Sequence, residues 1–318
     1  LGRLALHLSV AAFVEFSNLN LLSSHTAVLP VLSYKRFGIP QFARRHRSRA
    51  AKNYYDEIVA GGMQLTNAQF EQYQRDGYVV AEDCLDGATV EAVTERIESY
   101  VQGDREESEF QRMLEPDAEA DALGGADPVR KFEGLGMVRE DDVFSALVND
   151  GTIVDVVQQL QGPNLSLLRS AGMLKPPRVG SEKKFHQDAA YYPIHPMDHV
   201  TVWIALDQST AENGCMQVVP GAHTDGLLGH EAIEYDTDIT IAGADYGPED
   251  AVALPMEPGD VLFQHCLLPH YTAPNETDDW RRAYIASYMR NRSRFTDEDP
   301  PEWVDSVHIT GDTFPGCV

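Results

Sequence analysis

Leu165-Ser166-Leu167-Leu168-Arg169-Ser170-Ala171-Gly172-Met173-Leu174 opens a change of texture in this 318-residue chain. From here on, short apolar runs alternate with turn residues: Val200–Leu206, Met216–Val219, Val261–Phe263 and Ala283–Met289, punctuated by Gly, Pro and Asn. Runs of this length and spacing predict the strands of a double-sheet sandwich or jelly roll. Upstream the pattern is helical. Thr66-Asn67-Ala68-Gln69 is a capping box, followed by Phe70 and Tyr73 on one face and a stop near Gly77. Tyr78-Val79-Val80 reads as a short strand, and Val90, Val93, Ile97 and Val101 recur at helical spacing. Residues 103–128, acidic and rich in Gly and Ala, read as a solvated loop. Val143, Phe144, Leu147 and Val148 mark another helix. Thr152 is the expected cap of a further one through Val156, Val157 and Leu160, ended by Gly162-Pro163. Helices first and strands afterwards predict one α+β, mostly β domain with a helical layer packed on a β core.

Composition narrows the function classes. With 43% hydrophobic and 24% charged residues the chain is globular in character. Its 50 Asp+Glu against 25 Lys+Arg leave a formal charge of −25, which repels phosphate backbones and excludes nucleic acid as an expected partner. No apolar run approaches the roughly 18 residues of a membrane span; Leu4–Phe16 is interrupted by His7 and Glu15. Cys84, Cys215, Cys266 and Cys317 lie far apart without ligand spacing, so a reducing cytoplasm is the expected location. Cys215 and Cys266 read as small buried hydrophobes.

Charge also divides the chain. Eight of the 25 basic residues and three of the 50 acidic ones precede Met63, so residues 63–318 carry −30. The basic leader, 1–62, is read as non-native or disordered rather than as a targeting arm or a partner-binding extension, and residues 296–318 as an acidic tail. Residues 63–295 are then a single domain. Only Lys131, Lys175, Lys183 and Lys184 are lysines after Met63, a salt-adapted (halophilic) pattern. The thermal midpoint of the protein is therefore expected to rise from dilute buffer to molar KCl, because the Debye length falls from about 10 Å at 0.1 M to about 3 Å at 1 M. A flat or falling midpoint would remove the salt-adaptation argument.

Chemistry concentrates in the β half, where seven of the eleven histidines fall between residues 186 and 270. In Phe185-His186-Gln187-Asp188, His186 and Asp188 are two apart, on one face of a strand. A neutral imidazole and a carboxylate suit a divalent metal. A second histidine from a distant strand would complete the two-histidine, one-carboxylate face of non-haem Fe(II) sites. His270, in Leu267-Leu268-Pro269-His270, and His265 compete for that place.

The order of motifs resembles the phytanoyl-CoA dioxygenase family of Fe(II)/2-oxoglutarate oxygenases. Matching features are His186-Gln187-Asp188, Tyr192-Pro193, Pro196, Asp198, Asn213-Gly214-Cys215 and Pro220-Gly221-Ala222-His223. Pro258-Gly259-Asp260-Val261-Leu262-Phe263, His270 and Arg281 complete the set, over roughly residues 66–292. The resemblance implies a double-stranded β-helix (cupin-like jelly roll), with Fe(II) on His186, Asp188 and His270. It implies 2-oxoglutarate and O₂ as co-substrates, with ascorbate as a supporting reductant. Arg281 would anchor the far carboxylate of 2-oxoglutarate as a planar fork, with Gln187, Trp203 and Lys131 nearby. His270 rather than His265 follows from the family spacing to Arg281, and Arg282 is the alternative to Arg281. Ser170-Ala171-Gly172-Met173 carries no residue the resemblance can assign.

The implied reaction is hydroxylation of an unactivated C–H of a small organic substrate, an acyl-CoA or lipid-derived acid, with release of succinate and CO₂. Arg178, Lys183 and Lys184 are the basic residues beside the motif that an acyl-CoA would use. His195 and His199 flank Pro196 and read equally as lining the substrate mouth or as exposed loop histidines; Tyr191 and Tyr192 read equally as core packing or substrate contacts. Two other classes compete: a metal-dependent isomerase or hydrolase on the same β core, which needs no Arg281, and a non-catalytic ligand-binding member. Intact His186, Asp188 and His270 argue against the latter.

Overall fold

The computed structural model describes residues 63–105, 110–116, 118, 123–124, 127–233, 238–243, 246–296 and 305–317. The basic leader lies outside them. The first described helix, Asn67–Asp76, begins at the capping box: Thr66 Oγ1 accepts from Gln69 N at 3.2 Å while Gln69 Oε1 accepts from Thr66 N at 2.9 Å. It ends at Gly77, whose φ of 83° is left-handed. Helices Gly87–Val101, Gly136–Glu140, Asp142–Val148 and Gly151–Gln161 follow. Asp150, not Thr152, caps the last, because the Asp150 carboxylate accepts from the Thr152 and Ile153 amides.

The strands before the metal motif are β1 (Tyr78–Ala81), β2 (Gln111–Leu114), β3 (Val129–Glu133), β4 (Leu165–Lys175) and β5 (Lys183–His186). Next come β6 (Ile194–His195), β7 (Val200–Ala205), β8 (Met216–Val218), β9 (His230–Ala232), β10 (Ile239–Ile241) and β11 (Val252–Leu254). The last are β12 (Val261–His265), β13 (His270–Thr272), β14 (Arg281–Arg290), β15 (Arg294–Phe295) and β16 (Val307–Thr310). An antiparallel sheet runs β1-β12-β7-β14-β4-β3-β2, with β16 also on β4. A smaller sheet runs β11-β8-β13-β5.

Two stretches depart from the sequence reading. Within residues 103–128, read as a loop, β2 pairs with β3 as an edge strand; its Gln-Arg-Met-Leu run is half-exposed and lacks the alternation that marks a buried strand. In the stretch read as an acidic tail, Val307 and Ile309 pack on the core and draw β16 against β4.

Period-two alternation assigns the faces of the large sheet. Val200, Val202 and Ile204 of β7, Val261 and Phe263 of β12, and Tyr284, Ala286 and Tyr288 of β14 join Val93, Ile97, Phe144, Leu147, Ile153 and Val157 under the helices. The intervening Trp203, Ala205, Leu262, Ala283 and Ile285 pack instead with Met216, Val218 and Leu254 of the small sheet. The layers are thus helices, large sheet, small sheet. Residues that alternate with Tyr284 and Val202 face the inter-sheet space, and the charged and polar ones among them build the site.

Gly214 marks one tight crossing. Its φ is 81°, and a Cβ there would sit 2.2 Å from the Ala273 carbonyl oxygen. The adjoining Asn213 side chain accepts from Thr210 N at 2.8 Å and donates to Gln208 O at 2.8 Å, closing the turn before β8.

Candidate active site

β5 and β13 pair antiparallel with His186 opposite His270, which brings the two imidazole centroids to 4.1 Å. Asp188 opens the one-turn helix after β5. The extended Gln187 backbone (φ −118°, ψ 131°) keeps Asp188 on the His186 side although the strand has ended. Each imidazole offers Nδ1 to a backbone carbonyl, His186 to Lys184 O at 2.8 Å and His270 to Leu268 O at 2.9 Å. Nδ1 therefore carries the proton, and Nε2 is left as a lone pair. Both Nε2 atoms lie 3.9 Å from Asp188 Oδ1, and one ligand atom from each of the three residues falls within 4.8 Å of the others. Among the described residues no other His, Cys, Asp or Glu group of three converges in this way.

Electrostatics suit a divalent cation. Burial, and then the neighbouring His270, push His186 well below its ordinary value, and burial lowers His270 against the pull of Asp188. Both rings are thus neutral donors at neutral pH. Burial works against an ionised Asp188; with both imidazoles neutral, the Arg169 guanidinium and the hydrogen bond from Thr201 are what hold its carboxyl below the usual range. Two neutral imidazoles and one carboxylate, all buried, are the donor set a borderline divalent ion takes.

The sequence reading missed the groups that hold Asp188. Gln264 of β12 donates to Asp188 Oδ2 at 3.2 Å, and Arg169 of β4 stands 3.6 Å from Oδ1. Arg169 also binds Glu133 at 2.7 Å, which binds Lys131 at 2.7 Å, so the carboxylate terminates a partly buried Lys131–Glu133–Arg169 chain. Alternation along β4 and β12 was the available signal. Arg169 shares a face with Ala171 and Met173, and Gln264 with Leu262.

A polar cavity is lined by Lys131, Met173, Lys175, Asp238, Thr272 and Arg281; Thr272 shares β13 with His270, two residues away. Arg281 is 3% exposed, lies 5.6 Å from the Trp203 ring centroid, and its Nε finds no hydrogen-bond partner among the described residues. Burial lowers its guanidinium to about 10, so it stays charged. Asp207 and Glu115 act on it only from beyond ion-pair range, and a buried cation without a direct ion pair is a receptor for an anion. Arg282 faces the other way and is engaged by Asp207 at 2.8 Å and by Glu98 on the helical layer. Of Ser170-Ala171-Gly172-Met173, Met173 lines this cavity, whereas the Ser170 hydroxyl meets Tyr284 on the opposite face at 2.6 Å.

Other expected residues fall differently. Gln187 points away from the ligand face: its amide donates to Gly226 O (2.9 Å) and Leu267 O (2.7 Å) and accepts from Leu228 N (2.8 Å). It ties loops together and has no free polar atom for a co-substrate. His265 sits outside the ligand cluster, accepting from Leu267 N at 3.1 Å, with its ring 5.3 Å from His223 and 6.5 Å from Tyr73. His199 is buried beside Tyr192, and His195 is exposed on β6. The basic cluster beside the motif is largely consumed. Lys183 pairs with Asp238 and with Tyr191 Oη at 2.9 Å, and Arg178 pairs with Asp278 at 2.8 Å.

Residues 73–283 match the family model for phytanoyl-CoA dioxygenase (PhyH). The peroxisomal phytanoyl-CoA dioxygenase of Homo sapiens is 26% identical over 241 residues, spanning 73% of this chain and 71% of the relative. Among solved structures, EctD from S. alaskensis with bound Fe shares the fold at a TM-score of 0.62 and 20% identity, over 79% of this chain and 88% of that one. The non-haem alpha-ketoglutarate-dependent carbocyclase SnoK from nogalamycin biosynthesis aligns at a TM-score of 0.58 and 22% identity, over 79% and 100%. Fold, metal-competent triad and family match define a non-haem iron, 2-oxoglutarate-dependent dioxygenase. Within that class, the chain belongs to the phytanoyl-CoA dioxygenase family. No helix among the described residues is long and apolar enough to cross a membrane.

Proposed function

We propose that His186, Asp188 and His270 hold Fe(II), that Arg281 binds the far carboxylate of 2-oxoglutarate, and that the enzyme hydroxylates an unactivated C–H of a small organic substrate. The two facing sheets with their helical layer are read as the double-stranded β-helix of this class. The observation that carries the proposal is the pairing of two features across one inter-sheet space. Three buried ligand atoms converge within 4.8 Å, and on the same face of the large sheet β14 carries a buried guanidinium whose Nε has no hydrogen-bond partner among the described residues.

With iron, O₂ and 2-oxoglutarate present, the metal supplies oxidising power for C–H hydroxylation as the co-substrate is converted to succinate and CO₂. The protein's own part is to bind, orient and exclude water. Backbone carbonyls of Lys184 and Leu268 hold the Nδ1 protons of His186 and His270 and so aim both Nε2 lone pairs inward. Arg169 and Gln264 keep Asp188 ionised and oriented. Arg281, backed by Trp203, fixes the co-substrate's distal end, and Thr272 and Met173 line the same cavity as Arg281. Lys131 acts one step removed, through Glu133 and Arg169.

For the substrate, Lys183 and Arg178 pair within the protein, so of the basic residues beside the motif only Lys184 is left to favour a coenzyme A ester; an acyl-CoA and a lipid-derived acid both remain substrate classes to test. The test is a panel of acyl-CoA, free-acid and small zwitterionic compounds assayed for succinate release. One class should raise succinate above the no-substrate rate only when Fe(II) and 2-oxoglutarate are both supplied. Turnover that ignores 2-oxoglutarate would overturn the proposal.

A further inference from the structure

We infer that Gln264 is a positioning residue for the metal centre, locking Asp188 as a one-oxygen ligand. The inference rests on the metal-centre reading above. His186 and His270 both come from the small sheet, whereas Asp188 lies in the turn after β5 and reaches across toward the large sheet. Its two oxygens have separate surroundings. Oδ1 faces both imidazole Nε2 atoms at 3.9 Å and Arg169 at 3.6 Å; Oδ2 accepts from the Gln264 amide at 3.2 Å. The strand register makes this arrangement rigid, because Gln264 of β12 is directly opposite Thr201 of β7, and the Thr201 side chain also bonds Asp188.

The same amide nitrogen lies 3.4 Å from His270 Nε2, so Gln264 touches two of the three ligands at once. Gln264 is fully buried, and its Oε1 has no partner among the described residues. A buried amide half-satisfied in this way is disfavoured in a core that Leu262 and Leu268 would otherwise fill with hydrocarbon. Its position is accounted for by what the nitrogen does: with Oδ2 held from behind, the carboxylate presents Oδ1 alone to the ion. Without that tether Oδ2 loses its amide donor, and Thr201 and Arg169 alone are left to keep the carboxylate from offering both oxygens to the ion.

Gln264→Met keeps length and volume and removes the donor, and Gln264→Leu provides a second, shorter apolar replacement. Full-length variants are titrated with Co(II) alone, following its d–d absorption, and the metal-free forms are melted in parallel. The expected result is a Co(II) dissociation constant raised roughly 10- to 100-fold, the range for losing an outer partner of a ligand. A changed d–d band should accompany it, with metal-free thermal midpoints equal to or above the parent because the orphaned oxygen is gone. A merely structural Gln264 predicts lowered midpoints with unchanged Co(II) affinity and spectrum. Parent-like affinity, within threefold, and a parent-like band in either folded variant overturn the inference while leaving the metal centre standing. Failure of the parent protein itself to bind Co(II) overturns the metal centre and the inference with it.

Discussion

His270→Ala is expected to abolish turnover and to weaken Fe(II) or Co(II) binding beyond the roughly 10- to 100-fold that loss of an outer-shell partner costs. The physical reason is register. β13 places His270 directly opposite His186, with its Nδ1 proton held by Leu268 O, and among the described residues it is the histidine that completes the converging group with His186 and Asp188. His265 is the control. It is five residues earlier and rich in neighbours, but its Nδ1 is occupied by the Leu267 amide and its ring packs toward His223 and Tyr73. His265→Ala is expected to keep metal binding near the parent value. Isothermal or absorption titration of both variants with Co(II) checks the pair. Loss of binding in His265→Ala with retention in His270→Ala would exchange their roles.

Arg281→Ala is expected to leave metal binding near normal while raising the 2-oxoglutarate requirement. A charge-assisted bidentate pair contributes about 1.5–3 kcal/mol, which is about 10- to 150-fold in affinity at 1.4 kcal/mol per decade. The effect belongs at the upper end, because Arg281 is buried and without a direct ion pair among the described residues. Arg282→Ala is expected to lower the thermal midpoint by freeing Asp207 and Glu98 while leaving the 2-oxoglutarate dependence intact. Apparent KM values for 2-oxoglutarate measured for both variants decide between them. Equal dependence in both would return the chain to the metal-dependent isomerase or hydrolase class.

The contrast between these neighbours shows what was legible in the chain and why. Adjacent strand residues face opposite ways, so a sequence pattern says that only one of Arg281 and Arg282 enters the pocket but not which. The answer comes from β7 and β4, which fix the face on which Trp203 and Met173 lie. The His186/Asp188 pair was readable because its spacing is local. Gln264, Arg169 and Glu133 were harder to read: alternation gives the face of Gln264 and Arg169, but each is a single polar residue inside an apolar or charged run whose role emerges from pairings across β12-β7-β14-β4-β3. Gln187 failed for the complementary reason. Lying between two ligands on an extended backbone, it must point to the other side, where Gly226, Leu228 and Leu267 take up its amide. Helix starts read well where the side chain itself makes the bond, as at Thr66, and slipped by two residues where Asp150 outcompeted Thr152. β2 and β16 escaped because edge strands carry half-exposed polar residues and are ordered by the partner they pair with.

The central claim is that one inter-sheet space holds iron on His186, Asp188 and His270 and 2-oxoglutarate on Arg281. The most direct measurement is an anaerobic absorption titration of the full-length protein with Fe(II) and 2-oxoglutarate, run beside Asp188→Ala and Arg281→Ala. The expected result is a metal-to-co-substrate charge-transfer band that requires both components, is lost in Asp188→Ala at all concentrations, and in Arg281→Ala returns only at about 10- to 150-fold more 2-oxoglutarate. A parent protein that shows no band at saturating Fe(II) and 2-oxoglutarate, or a band that neither substitution alters, would contradict it.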